Sequence, residues 1–286
     1  SAAAVWFARP DLLDTINIRT LVDDPPRALV GLGTLGHQLG YNNILSMYAA
    51  VLLMLPAFLL LGNINLLLMV TASGLLWFAA GYWQIAPANY PTEGYWFLNP
   101  LSWQFLFVIG LAATLHVKRG GAICFSTPLA CSAVLYLVLS LVWVKAPLWG
   151  LERSVDLPVV LSGFDKTFLS LPRLLHILAL AYLIVAIPAL SNLARVGPAN
   201  PLAILGRHSL PVFIAGTLLA MVGQVLKAVH GGGLVFDATL ISVGVLLQFA
   251  LAYWLQWLAA LGRGAPVGRA ASQPASRGSV PATWAA

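Results

Sequence analysis

Long apolar runs separated by short polar segments dominate the pattern of this chain. Seven of them approach the roughly 20 residues that a helix needs to cross the hydrocarbon core of a bilayer. The expected helices lie near residues 44–62, 64–82, 99–117, 127–147, 171–190, 209–228 and 239–260. Pro56, Pro188 and Pro211 fall inside or near them, where neighbouring helices can satisfy the freed backbone groups. The pattern predicts an all-α, polytopic transmembrane helical bundle with about seven spanning helices.

The composition excludes a soluble globular protein. Of the 286 residues, 60% are hydrophobic and only 8% are charged, whereas an average soluble domain is about 25% charged. That leaves too little polar surface to cover a soluble chain of this length. Cys124, Cys131 and the five scattered histidines show neither a disulfide framework nor the spacing of a metal site. We therefore expect a membrane protein without a bound metal or cofactor.

The charged residues separate onto two sides when alternate loops are grouped. All nine acidic residues fall on one side, and the other side holds only basic residues: Lys118, Arg119, Arg195, Arg207, Arg263, Arg269 and Arg277. An excess of Lys and Arg marks the cytoplasmic face. The N-terminus is therefore expected outside the cytoplasm and the C-terminus inside it. Because this arrangement explains the net charge of +6, no nucleic-acid partner is predicted.

Three regions follow from this topology. Residues 1–43 form an extracytoplasmic N-terminal segment, residues 44–262 the transmembrane domain, and residues 263–286 a cytoplasmic tail expected to be disordered. The chain begins with Ser1, and the translocated segment carries no export signal. We therefore expect an odd number of transmembrane helices upstream, with this chain the C-terminal part of a larger membrane protein.

The segment GLGTLG, residues 31–36, has the glycine spacing of a dinucleotide-binding turn. That turn requires a preceding strand, a following helix and a later acidic residue. Here the segment follows PPRALV and leads into a membrane helix. A flexible loop is therefore preferred over a nucleotide site.

A polar cluster is predicted in GHQLGYNNILSMY, residues 36–48. It brings four side chains to the outer mouth of the first expected helix: His37, Gln38, Asn42 and Asn43. These residues either cap and solvate the helix, with Asn42 or Asn43 as N-cap, or hydrogen-bond a hydroxyl-rich ligand. The sequence leaves both interpretations open.

The stretch YWFLNPLSWQFLFVIG, residues 95–110, predicts a helix capped by Asn99 with Pro100 at its first position. Trp103 is typical of an interfacial aromatic belt. Gln104 is expected to face protein or a cavity, since an amide facing lipid is costly. Other aromatic residues gather at the same outer face, as a belt or in part as a platform for a sugar: Tyr82, Trp83, Tyr90, Tyr95, Trp96, Trp143 and Trp149.

Ionisable side chains enter an apolar helix in FDKTFLSLPRLLHILALAY, residues 164–182. Lys166 lies just outside the membrane, and Arg173 and His176 follow three positions apart, on one helical face. Snorkelling can explain Lys166 and Arg173, but His176 is deeper and shorter. Ionisable residues within a membrane span indicate a functional site, so we expect a polar pocket open to the outer face. The alternative is a hydrogen bond between helices.

On the expected cytoplasmic side, ANPLAILGRHSLPVF, residues 199–213, ends a loop at Arg207 and His208 and starts the sixth helix with Ser209 as N-cap. An arginine beside a helix N-terminus suits an anion such as the phosphates of coenzyme A. The same residues are equally explained as a topology signal.

These stretches together resemble the OpgC family, named for the succinyltransferase of osmoregulated periplasmic glucans. The resemblance rests on GHQLGYNNILSMY, WFLNPLSWQFLFVIG, FDKTFLSLPRLLHILALAYL and LGRHSLPVF, in that order. OpgC proteins resemble the acyltransferase 3 superfamily. Three helices upstream of this chain would complete the expected number of about ten.

The resemblance implies a membrane O-acyltransferase of the bacterial inner membrane. It would move an acyl group, expected to be succinyl, from cytoplasmic acyl-CoA to a hydroxyl of a periplasmic glucan or another envelope glycan. The expected substrate-binding residues are Arg173, His176, Lys166, Gln38, Asn42, Trp103 and Gln104, with Arg207 and His208 near the CoA phosphates. The superfamily's catalytic histidine, with its partner arginine, belongs to a first helix without a counterpart here, so His176 is only a secondary candidate.

Two other classes stay open. A transporter or flippase of an amphipathic or acidic solute would use the same cavity without an acyl donor, although the internal repeats and broken helices common in transporters are not seen. A purely structural membrane subunit would tolerate replacement of every cavity residue. The lipid bilayer is the expected surrounding of the chain in each case, and homo-oligomerisation is left open.

Overall fold

The computed structural model of the chain describes residues 18–38, 43–146 and 157–262, together with Asp11 and Leu13. Over these residues the regular structure is helical, apart from a single β-bridge between Ala88 and Tyr95. The helices are α1 (Arg19–Asp23), α2 (Pro25–Gly33), α3 (Asn43–Ile64), α4 (Leu66–Tyr82), α5 (Pro100–Lys118), α6 (Thr127–Lys145), α7 (Val159–Ser162), α8 (Leu171–Ala186), α9 (Pro188–Ala194), α10 (Pro201–Arg207), α11 (Ser209–His230) and α12 (Leu234–Gly262).

A helix lies at each of the seven apolar runs. Among the described residues, α3, α5, α6, α11 and α12 are long and apolar enough to cross a membrane. Helices α4 and α8 are apolar but shorter, with 17 and 16 residues. The predicted fold class, an all-α bundle of membrane helices, is confirmed, and the chain is a multi-pass membrane protein.

The fifth predicted helix, 171–190, is shorter than expected. Helix α8 ends at Ala186, and Ile187 has an extended backbone with φ −93° and ψ 113°. The residue before a proline is disfavoured in the α conformation, so Pro188 begins a separate helix, α9. Pro56 lies within α3 and does not end it.

Helix α2 occupies a segment for which the sequence predicted a flexible loop. Gly31 and Gly33 lie in its last turn, and the Asp24 carboxylate caps its N-terminus. The carbonyl of Gly36 accepts a hydrogen bond from the backbone N–H of Tyr90 at 3.1 Å. The flexible-loop interpretation of GLGTLG is therefore wrong for residues 31–33, and a helix rather than a strand precedes the turn at residues 34–36.

Helices α3, α4 and α5 pack on one another around Met69 and Val108, both fully buried, and Phe58. Helix α6 lies against α8, where small residues on α6, Ala130 and Ala133, allow close approach. Small residues at such contacts compensate for the weak hydrophobic driving force between helices in lipid.

Helices α11 and α12 form a hairpin on which α10 packs. Gly231 ends α11 with φ +72°, a left-handed backbone that glycine adopts without strain. The Lys227 ammonium pairs with the Asp237 carboxylate across the turn at 2.7 Å. This pair and the glycine fix where the hairpin reverses.

The contact between α4 and α7 leaves no room for a side chain at Gly81. A Cβ atom there would lie 2.4 Å from the Cγ2 atom of Val160, which is 1% exposed. We expect Gly81→Ala to lower the free energy of unfolding in detergent by about 1–3 kcal/mol, because a packed core resists an added methyl group. Gly110→Ala is the matched control, since no described atom lies within 4 Å of its Cβ position. Equal stability of both variants would contradict this packing.

Candidate functional site

The segment between α7 and α8, residues 163–170, is held by one carboxylate. The Asp165 Oδ1 atom accepts hydrogen bonds from the backbone N–H groups of Thr167 and Phe168, at 2.5 and 3.3 Å. The Ser170 hydroxyl donates to the Asp165 carbonyl at 3.2 Å. These bonds close a compact turn directly before α8.

Two tryptophans fasten this segment to the bundle. The Trp77 indole N–H on α4 donates to the Leu169 carbonyl at 2.9 Å. The Trp103 indole N–H on α5 donates to the Lys166 carbonyl at 3.0 Å. Leu169 is fully buried and has φ +46°, a left-handed backbone that is costly for leucine. The surrounding contacts therefore hold the segment in a conformation that it would not adopt alone.

Asn99 joins the same segment to the start of α5. Its backbone N–H donates to the Thr167 carbonyl at 3.1 Å, and its side-chain amide donates to the Ile85 carbonyl at 2.7 Å. Its Oδ1 atom accepts from the backbone N–H of Leu101, which is the predicted N-cap contact. Asn99 is fully buried, so this capping residue also positions the segment before α8.

Arg173 lies in the first turn of α8 and His176 follows one turn later. The Arg173 Nε–H donates to the Phe164 carbonyl at 2.8 Å. Arg173 is half-buried and His176 is exposed. Both line one cleft, so the predicted common helical face is present.

That cleft, called here the α6–α8 cleft, lies between α6, α8 and residues 157–164. Its volume is about 680 Å³, within the range of about 300–1,000 Å³ that small-molecule sites occupy. The polar side chains in its lining are Tyr136, Ser140, Trp143, Ser162, Arg173 and His176. Most of the remaining lining is aliphatic and comes from α6.

The polar groups of the cleft differ in what they offer a ligand. The Tyr136 hydroxyl donates to the Pro172 carbonyl at 2.7 Å, and the Ser140 hydroxyl donates to the Tyr136 carbonyl at 2.8 Å. The Trp143 indole N–H is buried and has no partner in the part of the chain that the structure describes. None of the lining residues that the structure describes is acidic, so the cleft is suited to an anionic or acceptor-rich group.

Gln104 and Lys166 lie outside the cleft. Gln104 is fully buried, and its side-chain amide makes two hydrogen bonds with Ser73 on α4. The Ser73 hydroxyl donates to the Gln104 Oε1 atom at 2.5 Å, and the Gln104 Nε2 atom donates to the Ser73 carbonyl at 2.9 Å. The expectation that Gln104 faces protein is thus met. Lys166 is exposed. Their binding roles, and that of Trp103, stay predictions.

Three further predicted residues lie near the start of α3. Asn42 is outside the described residues. Gln38 is half-buried and takes part in a hydrogen bond or ring contact. His37 is 3% exposed, and its Nε2 atom has no partner among the described residues. His37 and Gln38 are not among the residues that line the α6–α8 cleft.

Arg207 and His208 lie at the junction of α10 and α11. Arg207 ends α10 and its guanidinium donates to the Pro198 carbonyl. His208 occupies the N-cap position of α11, without a side-chain cap, and Ser209 is the first helical residue. The prediction of Ser209 as the N-cap residue was therefore wrong by one position. A role of this pair in binding CoA phosphates stays a prediction.

Part of the cleft wall was not predicted from the sequence. Tyr136, Ser140 and Trp143 are spaced four and three residues apart, which places them on one face of α6. That spacing could have marked a polar face in an apolar helix. Of these residues only Trp143 was predicted, as an interfacial aromatic, because the face of α6 forms a cleft wall only through its contact with α8.

These features define a polytopic α-helical membrane protein with an amphipathic cleft between two of its helices. The chain belongs to the OpgC family, because the family model described as OpgC protein matches residues 1–260. This membership indicates an OpgC-type membrane acyltransferase in general. Neither the curated proteins nor the solved structures contain a match to the chain.

Proposed function

We propose that this protein is a membrane O-acyltransferase that transfers a succinyl group from cytoplasmic acyl-CoA to a hydroxyl of a periplasmic glucan or another envelope glycan. The observation that carries the proposal is the OpgC family match over residues 1–260. The basic loops of the chain support an inner-membrane orientation with the cleft toward the periplasm.

The reaction requires a general base at the acceptor hydroxyl. The base removes the hydroxyl proton, the oxygen attacks the thioester carbonyl, the carbon–sulfur bond breaks, and the CoA thiolate leaves and takes up a proton. Positioned acid–base groups typically accelerate such steps by roughly 10²–10⁴-fold. His176, which lines the cleft, is proposed as a secondary candidate for this base.

Arg173 is proposed to bind the carboxylate of the succinyl group or the acceptor. Its guanidinium suits a carboxylate because two parallel N–H donors match two oxygens. Its Nε–H is held by the Phe164 carbonyl, which orients the planar group before a ligand arrives. Arg207 and His208 are proposed to contact the CoA phosphates on the opposite, cytoplasmic side of the membrane.

Replacement of Arg173 tests this assignment. In the complete gene product, Arg173→Gln is expected to reduce acyl transfer roughly ten- to hundred-fold, since hydrogen bonds to a charged group contribute about 1.5–3 kcal/mol. His176→Gln is expected to reduce it as well. The measurement is incorporation of radiolabelled succinyl groups into glucan by isolated membranes.

Lys145→Gln is the control for this experiment, because Lys145 is an exposed cation at the end of α6 that does not line the cleft. It should transfer acyl groups at the wild-type rate, with equal protein amounts verified in the membranes. Full acyl transfer by either the Arg173 or the His176 variant would show that the replaced residue is not part of the site.

A further inference from the structure

We propose that the α6–α8 cleft binds an anionic amphiphile of the alkyl phosphate class, with the phosphate at Arg173 and the alkyl chain along the aliphatic wall of α6. The proposal rests on the proposed function and deepens it. It names the class of acceptor held at this cleft: a glycan that is carried on a lipid phosphate and enters from the bilayer.

The cleft opens through an exposed, apolar face of α6. Leu139 and Leu141 line the cleft and are nevertheless 56% and 59% exposed. Exposed aliphatic side chains on a spanning helix face hydrocarbon. A ligand with an alkyl chain can therefore reach the cleft sideways from the membrane without passing through water.

The groups that would bind an acidic head lie together at one end of the cleft. Phe164 contacts both of them: its carbonyl accepts from Arg173, and its ring lies 5.9 Å from the Trp143 ring. Arg173 follows the turn that precedes α8, and Trp143 lies near the end of α6. This arrangement would suit a ligand whose head group lies at the membrane interface and whose alkyl chain lies in the hydrocarbon.

Both groups have hydrogen-bonding capacity left for a ligand. In the described part of the chain, Arg173 makes one side-chain hydrogen bond, through Nε, so its two terminal amino groups are unused. The buried Trp143 N–H has no described partner. Because a buried donor without a partner is costly, a phosphate oxygen here would relieve that cost, and none of the described lining residues is a carboxylate that competes for the cation.

The rest of the lining disfavours a free sugar as the main occupant. A sugar carries a hydroxyl on most carbon atoms, and each needs a partner when water is removed. The Tyr136 and Ser140 hydroxyls already donate to backbone carbonyls, and most of the remaining lining side chains, such as Leu137, are aliphatic. An alkyl chain suits this aliphatic surface, and each buried methylene contributes about 0.8 kcal/mol.

The test is equilibrium binding of radiolabelled dodecyl phosphate to the purified complete protein in phosphatidylcholine nanodiscs. Arg173→Gln is expected to weaken binding roughly ten- to hundred-fold, the effect of removing charged hydrogen bonds. Trp143→Phe, which keeps a ring and removes the N–H, is expected to weaken it several-fold. Lys145→Gln should change it less than two-fold. Thermal unfolding of each variant verifies that the protein is folded.

Two outcomes would overturn the inference. If inorganic phosphate displaced the probe as well as unlabelled dodecyl phosphate does, the alkyl chain would contribute nothing and the cleft would be a plain anion site. If Lys145→Gln weakened binding as much as Arg173→Gln, the probe would be attracted by surface charge alone.

Acyl transfer measured on the same preparations separates this inference from the proposed function. Transfer to a water-soluble glucan without binding of dodecyl phosphate would refute the amphiphile and leave the acyltransferase standing. Arg173-dependent binding of dodecyl phosphate without consumption of acyl-CoA would support the cleft assignment and refute the acyltransferase.

Discussion

Replacing Trp77 with alanine is expected to lower the free energy of unfolding by about 3–5 kcal/mol, the range for removing a large buried aromatic side chain. Trp77 is 7% exposed and packs with Val160, Leu169 and Leu174 in one core cluster. Its ring stacks on that of Phe105 with centroids 5.4 Å apart. Acyl transfer should fall too, because the Trp77 indole N–H fastens the segment before α8.

Two companion variants identify the cause of that loss. Trp77→Phe keeps an aromatic ring but leaves the buried Leu169 carbonyl without its donor, so we expect a loss of about 1–3 kcal/mol. Trp83→Ala, at a tryptophan that is 66% exposed, should change stability little. Chemical unfolding in mixed micelles measures all three. A Trp77→Ala protein as stable as Trp83→Ala would contradict the packing described here.

The second large effect is expected at Gln104. Gln104→Leu removes the acceptor of the buried Ser73 hydroxyl and a donor to the Ser73 carbonyl. We expect it to lower the free energy of unfolding by about 2–3 kcal/mol. The cause is the polar group left unsatisfied between α4 and α5 rather than lost volume, because leucine nearly fills the space. The same unfolding measurement in mixed micelles applies.

A double-variant cycle tests that cause. Removing both partners of a buried hydrogen bond is usually less harmful than removing one, so Ser73→Ala combined with Gln104→Leu should be more stable than Gln104→Leu alone. Additive losses would show that the two side chains do not interact. They would then contradict the 2.5 Å hydrogen bond between them.

The sequence predicted the helices well because the bilayer restricts the choices. Backbone groups in hydrocarbon must bond within their own segment, so each long apolar run became a helix. The start of α5 was equally predictable from the sequence, since Asn99 caps the helix and Pro100 is its first residue. The spacing of Arg173 and His176 likewise predicted that they share one face, and both line the cleft.

The features that escaped prediction depend on contacts between distant residues. The amide of Gln104 meets Ser73, which lies 31 positions away, and no local pattern encodes that pairing. The turn at Asp165 is held against the bundle by Trp77 and Trp103, which lie on other helices. The end of α8 before Pro188 was the exception: it follows from a local rule that the apolar run obscured.

A transporter or flippase of an amphipathic or acidic solute is the rival to an acyltransferase. It would use the same α6–α8 cleft and the same Arg173, so binding to the cleft alone does not separate the two. The acyl donor separates them, because a transporter does not consume acyl-CoA, whereas a transferase breaks one thioester for each ester it forms. The decisive quantity is therefore the fate of the acyl group.

The most direct measurement is made on membranes containing the complete gene product, supplied with radiolabelled succinyl-CoA and glucan. Released CoA thiol and alkali-labile label in the glucan are counted together. We predict equal amounts of both in the wild-type protein, with a strong reduction of both in Arg173→Gln. Glucan that stays unlabelled while succinyl-CoA stays intact would contradict the acyltransferase assignment.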